Sequence, residues 1–444
     1  MEGLEISVVK LSEVLEDVDL RLESEYYNSE HIVFNSVQGC DIESFSQYGT
    51  SEDLNEEGKG FPILRLNEFD SFFISKPSKY CDLISKETFE LLKLKKNDVL
   101  ICRTNGNPKY VGKAAIVPKN YEYAFASYVY RLRPKTDIIN SATLVSFLNS
   151  KYGRIEIEKY SMVGNQANFS PAKFRQIAIP ILSKELNNKI EEIVYKSFEL
   201  LEESKSLYSQ AEDLLLGELG LKDWQPKNTL HTTKKFSDFA QSGRLDAEYY
   251  QPKYDEIEKE LSKKNTLEIS KIGQICDKNF SSIDNVEYKY IELADIGAYG
   301  EITGCTMAIG SELPTRARRI VRKGDVLISS IEGSLQSCAI VPKEFDNALC
   351  STGFYVMTPN KINAETLLIL LKSTVIQLLL KKGCSGTILT NISKDEFLKI
   401  KIPILPESIQ TKIASLIQQS FECKAQSKQL LEDAKRMVEE EIEK

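Results

Sequence analysis

The chain has 444 residues but only two histidines, His31 and His231. That scarcity argues against a histidine-based metal centre and against a Ser-His-Asp triad. The nine cysteines are odd in number and none stands in a Cys-x-x-Cys pair, so neither a zinc ribbon nor a disulfide framework is expected. They read as reduced thiols. Apolar runs such as residues 367–371 and 378–380 are too short to cross a bilayer. The start, Met1-Glu2-Gly3-Leu4-Glu5, is acidic and lacks the apolar core of an export signal, so a cytoplasmic location is expected.

Catalytic signatures are also missing. There is no Asn/Asp-Pro-Pro-Tyr/Phe methyltransferase motif, no glycine-rich cofactor turn and no Pro-Asp…Glu-x-Lys nuclease set. Residues 106–114 come close to a phosphate-binding loop. However, they carry one residue too many between Gly106 and Gly112, and Ala114 stands where a hydroxyl must reach magnesium. The carboxylate pairs Glu191-Glu192 and Glu202-Glu203 fall within a helical repeat and read as solubilising charge. No bound metal or cofactor is expected, and the chain reads as a recognition protein.

What is present is present twice. Arg-Leu-Glu-Ser-Glu-Tyr-Tyr at 21–27 returns as Arg-Leu-Asp-Ala-Glu-Tyr-Tyr at 244–250. Lys-Asn-Asp-Val-Leu-Ile at 96–101 returns as Lys-Gly-Asp-Val-Leu-Ile at 323–328, and Ala-Ile-Val-Pro-Lys at 115–119 returns at 339–343. Ile177 to Leu182 returns as Ile400 to Leu405, an offset of about 223 residues that holds along the chain. Hydrophobic residues make up 42% and charged residues 27%, as in globular domains.

Each copy divides into a strand-rich α/β module and a long helix. Residues 99–102, 114–117 and 127–132 read as strands, and 141–151 and 364–381 as helices. A last strand at 177–179 or 400–402 ends at proline. The spacing of Leu186, Ile190, Ile193, Ser197, Leu200, Ser204, Leu207, Ala211 and Leu214 alternates four and three. Ile409, Ile413, Leu416, Ser420, Cys423, Ser427, Leu430, Ala434 and Met437 repeat it. A sustained 3.5 period makes a narrow seam that one helix cannot bury alone, so the two are expected to pair antiparallel as a coiled coil. A helix of about 32 residues is roughly 48 Å long. The seam serines allow close approach, or mark where another protein's helices join. Gly217 and Gly220 are expected to end the first helix. The expected domains are 1–183 (first module), 184–219 (first helix), 220–233 (linker), 234–405 (second module) and 406–444 (second helix).

The net charge of −8 argues against a simple nucleic-acid binder, but the charge is unevenly placed. In 93–135 only Asp98 and Glu122 oppose Lys93, Lys95, Lys96, Arg103, Lys109, Lys113, Lys119, Arg131, Arg133 and Lys135. The second copy groups Arg316, Arg318, Arg319, Arg322 and Lys323. Two basic modules on a rigid spacer suit duplex DNA, whose equivalent faces recur about every 34 Å. The candidate DNA-contacting residues of the first module are Arg103, Thr104, Asn105, Asn107, Lys109 and Lys113, with Asn165, Gln166 and Asn168 in a second polar loop. Those of the second are Arg316, Arg318, Arg319, Ser329, Ser330, Ser334, Gln336 and Thr387. The framework repeats and the loops differ, so the modules are expected to read different half-sequences.

The doubled Lys-x-Asp-Val-Leu-Ile segments, the Ile-Pro-Ile-Leu segments at 179–182 and 402–405, and the long helix after each resemble the DNA-specificity subunit of type I restriction-modification systems. The resemblance covers essentially the whole chain. It implies a non-catalytic subunit with two target-recognition domains, which recruits two methyltransferase subunits through its long helices and restriction subunits besides. S-adenosylmethionine and ATP would belong to those partners. One departure concerns a Glu-Gln pair usual early in each helix of the family; Asn187-Asn188 and Gln410-Thr411 stand there. The alternative is a two-module protein-binding scaffold of another defence complex, without DNA contact. No membrane contact is expected on either reading.

Overall fold

The computed structural model describes residues 8–16, 34–161, 167–227, 229, 231–386 and 390–444. The first copy of the Arg-Leu-Glu-Ser-Glu-Tyr-Tyr motif, His31, Asn165, Gln166 and Thr387 lie outside the described residues. The chain forms two compact units: Met1–Glu202 with Lys424–Lys444, and Glu203–Cys423. Each unit holds one module together with part of both long helices.

In the first unit a four-stranded antiparallel sheet has the order Glu43–Tyr48, Val129–Pro134, Val99–Cys102, Ala114–Ile116. In the second the order is Gly273–Ile275, Phe354–Pro359, Val326–Ser329, Cys338–Ile340. Strand for strand these are the same sheet. Val99–Cys102 and Val326–Ser329 are buried on both faces, which is why the Lys-x-Asp-Val-Leu-Ile segment reads as a continuous apolar run. Val99 and Ile101 pack with the helices Ser141–Leu148 and Lys151–Tyr160, whereas Leu100 packs beneath a smaller sheet. Val326 and Ile328 face the helices Ala364–Lys372 and Thr374–Gly383, whereas Leu327 faces the other way.

The smaller sheet repeats as well. Phe61–Leu64 pairs parallel with Ala124–Phe125 and antiparallel with Lys79–Cys81. Glu287–Ile291 pairs parallel with Leu349–Ser351 and antiparallel with Thr306–Ile309. The second module adds a strand, Ala317–Ile320, where the first has the helix Lys86–Leu92 at that point of the chain.

The Lys-x-Asp turn explains why its sequence returns. Asn97 and Gly324 adopt positive φ, +70° and +87°, which an amide or glycine tolerates best. The next carboxylate closes the turn: Asp98 Oδ2 accepts from Lys95 N at 2.9 Å, and Asp325 Oδ2 from Arg322 N at 2.8 Å. The two carboxylates are otherwise satisfied differently. Asp98, fully buried, takes Arg131 at 3.2 Å and Arg133 at 2.6 Å. Asp325 takes the hydroxyl of Thr358 at 2.6 Å.

The helix expected at 141–151 ends at Leu148 and a second helix, Lys151–Tyr160, follows it; the helix expected at 364–381 is broken in two. The break after Leu148 falls at Ser150, whose Oγ accepts from Gly153 N, and the break after Lys372 falls at Ser373, whose Oγ accepts from Ile376 N. Each serine caps a new helix in mid-pattern, and the apolar periodicity runs past it unchanged.

The long helices span Lys184–Leu219 and Glu407–Ile442, 36 residues each, and pair antiparallel. Ser197 Oγ lies 2.8 Å from Ser427 Oγ in the first unit, and Ser204 Oγ 3.0 Å from Ser420 Oγ in the second. All four serines are buried and bonded to one another, so they serve close approach and offer nothing to an outside helix. A second row lies beside the seam. Val194, Leu201, Leu431 and Val438 join the core of the first module, and Tyr208, Leu215 and Ile417 that of the second. The helices therefore bury a wider stripe than a bare seam. Gly217 sits within the first helix; Gly220, at φ +70°, ends it.

Asn187 and Gln410 mark a duplicated joint. Asn140 donates to Asn187 O at 2.8 Å and Asn363 to Gln410 O at 3.0 Å. Their own amides reach back to Leu182 O and Leu405 O. These side chains fasten each helix to its module, so the departure from Glu-Gln at 187 and 410 is accommodated internally.

Asp98→Ala strands the buried Arg131 and should cost the first unit about 3–5 kcal/mol. Thr358→Ala should cost the second only about 1 kcal/mol. Urea unfolding of the two variants checks this, and equal losses would contradict it. Ser197→Leu should cost about 1–3 kcal/mol through overpacking, against about 1 kcal/mol for Ser197→Ala. Thermal melts that ranked the two the other way would count against the close seam.

Candidate nucleic-acid interface

In the first unit the chain leaves the buried strand Val99–Cys102 at Arg103 and enters the short strand Thr104–Asn105. This pairs antiparallel with Ala167–Asn168, Ala167 opposite Asn105 and Asn168 opposite Thr104. The two polar stretches read from the sequence are thus joined at one edge. The loop beyond is built by its own side chains. Asn105 Oδ1 accepts from Asn107 N at 2.8 Å, and Asn107 Oδ1 from Lys109 N at 3.1 Å. The Nδ2 groups of both asparagines make no hydrogen bond among the described residues.

The basic run divides in two. Arg131 and Arg133 are spent on Asp98, Lys93 on Glu122 at 2.7 Å and Lys119 on Glu202 at 2.9 Å. Arg103, Lys109 and Lys113, all at the loop, have no carboxylate partner among the described residues. Part of the basic run is thus engaged in ion pairs within the unit.

The second unit repeats the plan with other chemistry. Ile331 bridges to Asn391, Ile392 N donates to Ser330 O at 2.8 Å, and Cys384–Ser385 pairs with Asn391–Ile392. Ser329 Oγ lies 2.9 Å from Ser334 Oγ and accepts from Ile331 N, while Ser330 Oγ donates to Gly353 O at 2.9 Å. Those three hydroxyls hold the loop together. Gln336 is exposed, its carbonyl accepting from Lys372 Nζ at 2.7 Å. Arg316 and Arg318 are exposed along the added strand, whereas Arg319 donates to Asp277 O and to Asn279 Oδ1. A turn links strand and loop: Thr352 N donates to Arg316 O, and Gly353 O accepts from Ser330.

Burial pushes the Cys102 thiol up to about 12, and those of Cys338 and Cys384 to about 11. Such thiols stay protonated at neutral pH. Among the described residues there is no group of three or more His, Cys, Asp or Glu side chains placed to hold a metal, and no helix long and apolar enough to cross a membrane.

The family model of the type I restriction modification DNA specificity domain matches this chain twice, at residues 50–207 and 259–436, well over half its length. The chain belongs to that family. Each match takes in most of one module and part of the long helix that follows it. Among solved structures, the S subunit of a type I restriction-modification system from M. genitalium is 14% identical over 94% of this chain and 96% of its own, with a TM-score of 0.43. The HsdS subunit from Thermoanaerobacter tengcongensis is 13% identical over 92% and 96%, with a TM-score of 0.29. No curated protein matches the chain.

In this member of the family the repeated Arg-Leu-Asp-Ala-Glu-Tyr-Tyr motif has a structural task that its recurrence alone did not reveal. Arg244 makes a bidentate pair with Asp246 at 2.6 and 2.7 Å and lies 4.8 Å from the Tyr249 ring centre. It also donates to Cys384 O at 2.7 Å, where the second polar loop begins. Tyr250 OH donates to Arg244 O at 2.8 Å and closes the motif on itself. Arg244→Ala should therefore speed amide exchange at residues 384–386 and 390–392 roughly tenfold or more, while 104–105 stay protected. Unchanged exchange at the second loop would contradict the clasp.

Proposed function

We propose that the chain is the DNA-specificity subunit of a type I restriction-modification assembly and that it reads an asymmetric, bipartite duplex site. One observation carries this. The two modules share strand order and loop-to-loop pairing, yet the side chains set on that shared frame differ, with Arg103 where Ser330 stands. One scaffold with unlike loops suits two unlike half-sites on one duplex.

In this reading Arg103, Thr104, Asn105, Asn107 and Asn168 face base edges of one half-site, with Lys109 and Lys113 on its phosphates. Arg316, Arg318 and Gln336 serve the other, and Arg319, Ser329, Ser330 and Ser334 hold its frame. Each long helix has 36 residues, about 54 Å at 1.5 Å per residue. Two methyltransferase subunits dock on the helices' outer faces, and restriction subunits join them. The chain itself carries out no chemistry: S-adenosylmethionine and ATP belong to the partners.

The test is selection from a random duplex pool by the complex of this chain with its methyltransferase. The expected result is two different half-sequences at fixed separation, with affinity falling steeply as salt rises. Lys109→Gln should flatten the log–log salt slope by about 1 while leaving the selected sequence unchanged. Recovery of two identical half-sites would contradict two unlike readers. Salt-independent binding, or none with partners present, would favour the protein-binding scaffold.

A further inference from the structure

Arg103 occupies a defined point of the frame. Its N donates to Tyr128 O at 2.8 Å and its O accepts from Phe169 N at 2.8 Å. Ser330 in the second module makes the same two bonds, N to Gly353 O at 2.9 Å and O from Ile392 N at 2.8 Å. The equivalence is set by backbone hydrogen bonds and owes nothing to side-chain likeness. From one point, one module projects a guanidinium and the other a hydroxyl that turns back onto Gly353 O.

The guanidinium of Arg103 is held but not satisfied. Its centre lies 5.0 Å from the centroid of the Tyr48 ring, and Tyr48 is 45% exposed. Its Nε is buried without a hydrogen-bond partner. Among the described residues of the first unit every other arginine has an acceptor. Arg65 has Glu68, Arg131 and Arg133 have Asp98, Arg154 has Val111 O, Arg175 has Glu43 and Arg436 has Asp433. Arg103 has a ring and no acceptor.

The ring itself is fixed. Tyr48 ends the edge strand Glu43–Tyr48, packs edge-on to the buried Tyr130 and is followed by Gly49. A Cβ at Gly49 would lie 2.2 Å from Phe125 O, so the chain passes there with no slack. Thr50 N then bonds Phe125 O at 2.9 Å.

A guanidinium held over an aromatic ring has less freedom left to lose when its fork meets a ligand. With Nε buried, the two Nη groups are the donors left to meet a ligand. Paired donors match the O6 and N7 acceptors of guanine in the major groove. Phosphate also accepts a fork, but Lys109, exposed, and Lys113 flank the loop and suit that task as point charges.

We infer that Arg103, held against Tyr48, reads a guanine in the half-site taken by the first module, and that Tyr48 is its positioning residue. This rests on the DNA reading proposed above. The second module has no such reader at the equivalent point, so the two half-sites differ there.

The test is duplex selection by the complete methyltransferase complex carrying wild type, Arg103→Lys, Tyr48→Phe or Tyr48→Ala. Wild type should select one invariant G·C pair in one half-site. Arg103→Lys keeps the charge and loses the fork, so preference at that pair should relax by about 5- to 150-fold, with the salt slope and the other half-site unchanged. Tyr48→Ala should relax the same position, whereas Tyr48→Phe, which keeps the ring, should not. Replacing that guanine by 7-deazaguanine should weaken wild type and leave Arg103→Lys indifferent. Uniform weakening by Arg103→Lys across all sequences would make the contact a phosphate and overturn the inference, with DNA reading intact. Relaxation at an A·T pair would overturn it too. A wild-type complex that selects no consensus overturns the DNA reading and this inference with it.

Discussion

A buried carboxylate at the head of the central strand is the constraint on which each module is built. Asp98 and Asp325 close the same turn and start the same doubly buried strand. A charge at that depth persists only where its acceptor sites are filled, so the turn, the strand start and the neighbouring strand are specified together. In the first module the turn is also tied to the long helix, since Tyr195 OH donates to Asn97 Oδ1. At the other end of the strand, backbone hydrogen bonds place Arg103 and Ser330 alike but leave their side chains free to differ. There the chain enters loops held by their own side chains, and their residues can change while the frame stays. A recognition protein needs this division between a locked end and a permissive end.

The helices meet a second constraint. A seam at 3.5 spacing needs a partner helix, and the adjacent row of Val194, Leu201, Tyr208 and Leu215 needs a module core. Both demands are met within each unit. The serine pairs keep the helix backbones close, and the amides of Asn187 and Gln410 fasten the helix starts. Helix and module are therefore single packing units, with little freedom to pivot at the joint.

Much of this was legible because it was written twice. The strands at 99–102 and 326–329 and both long helices follow from apolar runs and an unbroken heptad. The breaks at Ser150 and Ser373 were not legible, because a capping serine leaves the periodicity untouched. The wider apolar stripe was overlooked because its second row is one residue from the seam and mixes amide, aromatic and aliphatic side chains. In the candidate site, the union of the two polar loops depends on a strand pair, Thr104–Asn105 with Ala167–Asn168, too short to carry a signal. Arg131 and Arg103 look alike in the sequence. Only the fold puts one on a buried carboxylate and the other on an exposed ring. That the hydroxyls of Ser329 and Ser330 bond within their own unit was not legible either, because hydroxyls serve turns and ligands equally well.

The central claim, that an unchanging frame presents interchangeable reading loops, is tested most directly by exchange. Residues 103–113 with 162–170 are replaced by 330–337 with 385–393, and the site chosen by the methyltransferase complex is determined from random duplexes. The account predicts a near-symmetric site in which the first half-sequence becomes that of the second module, at unchanged spacing. A folded exchange variant that still selects the original first half-sequence would contradict it.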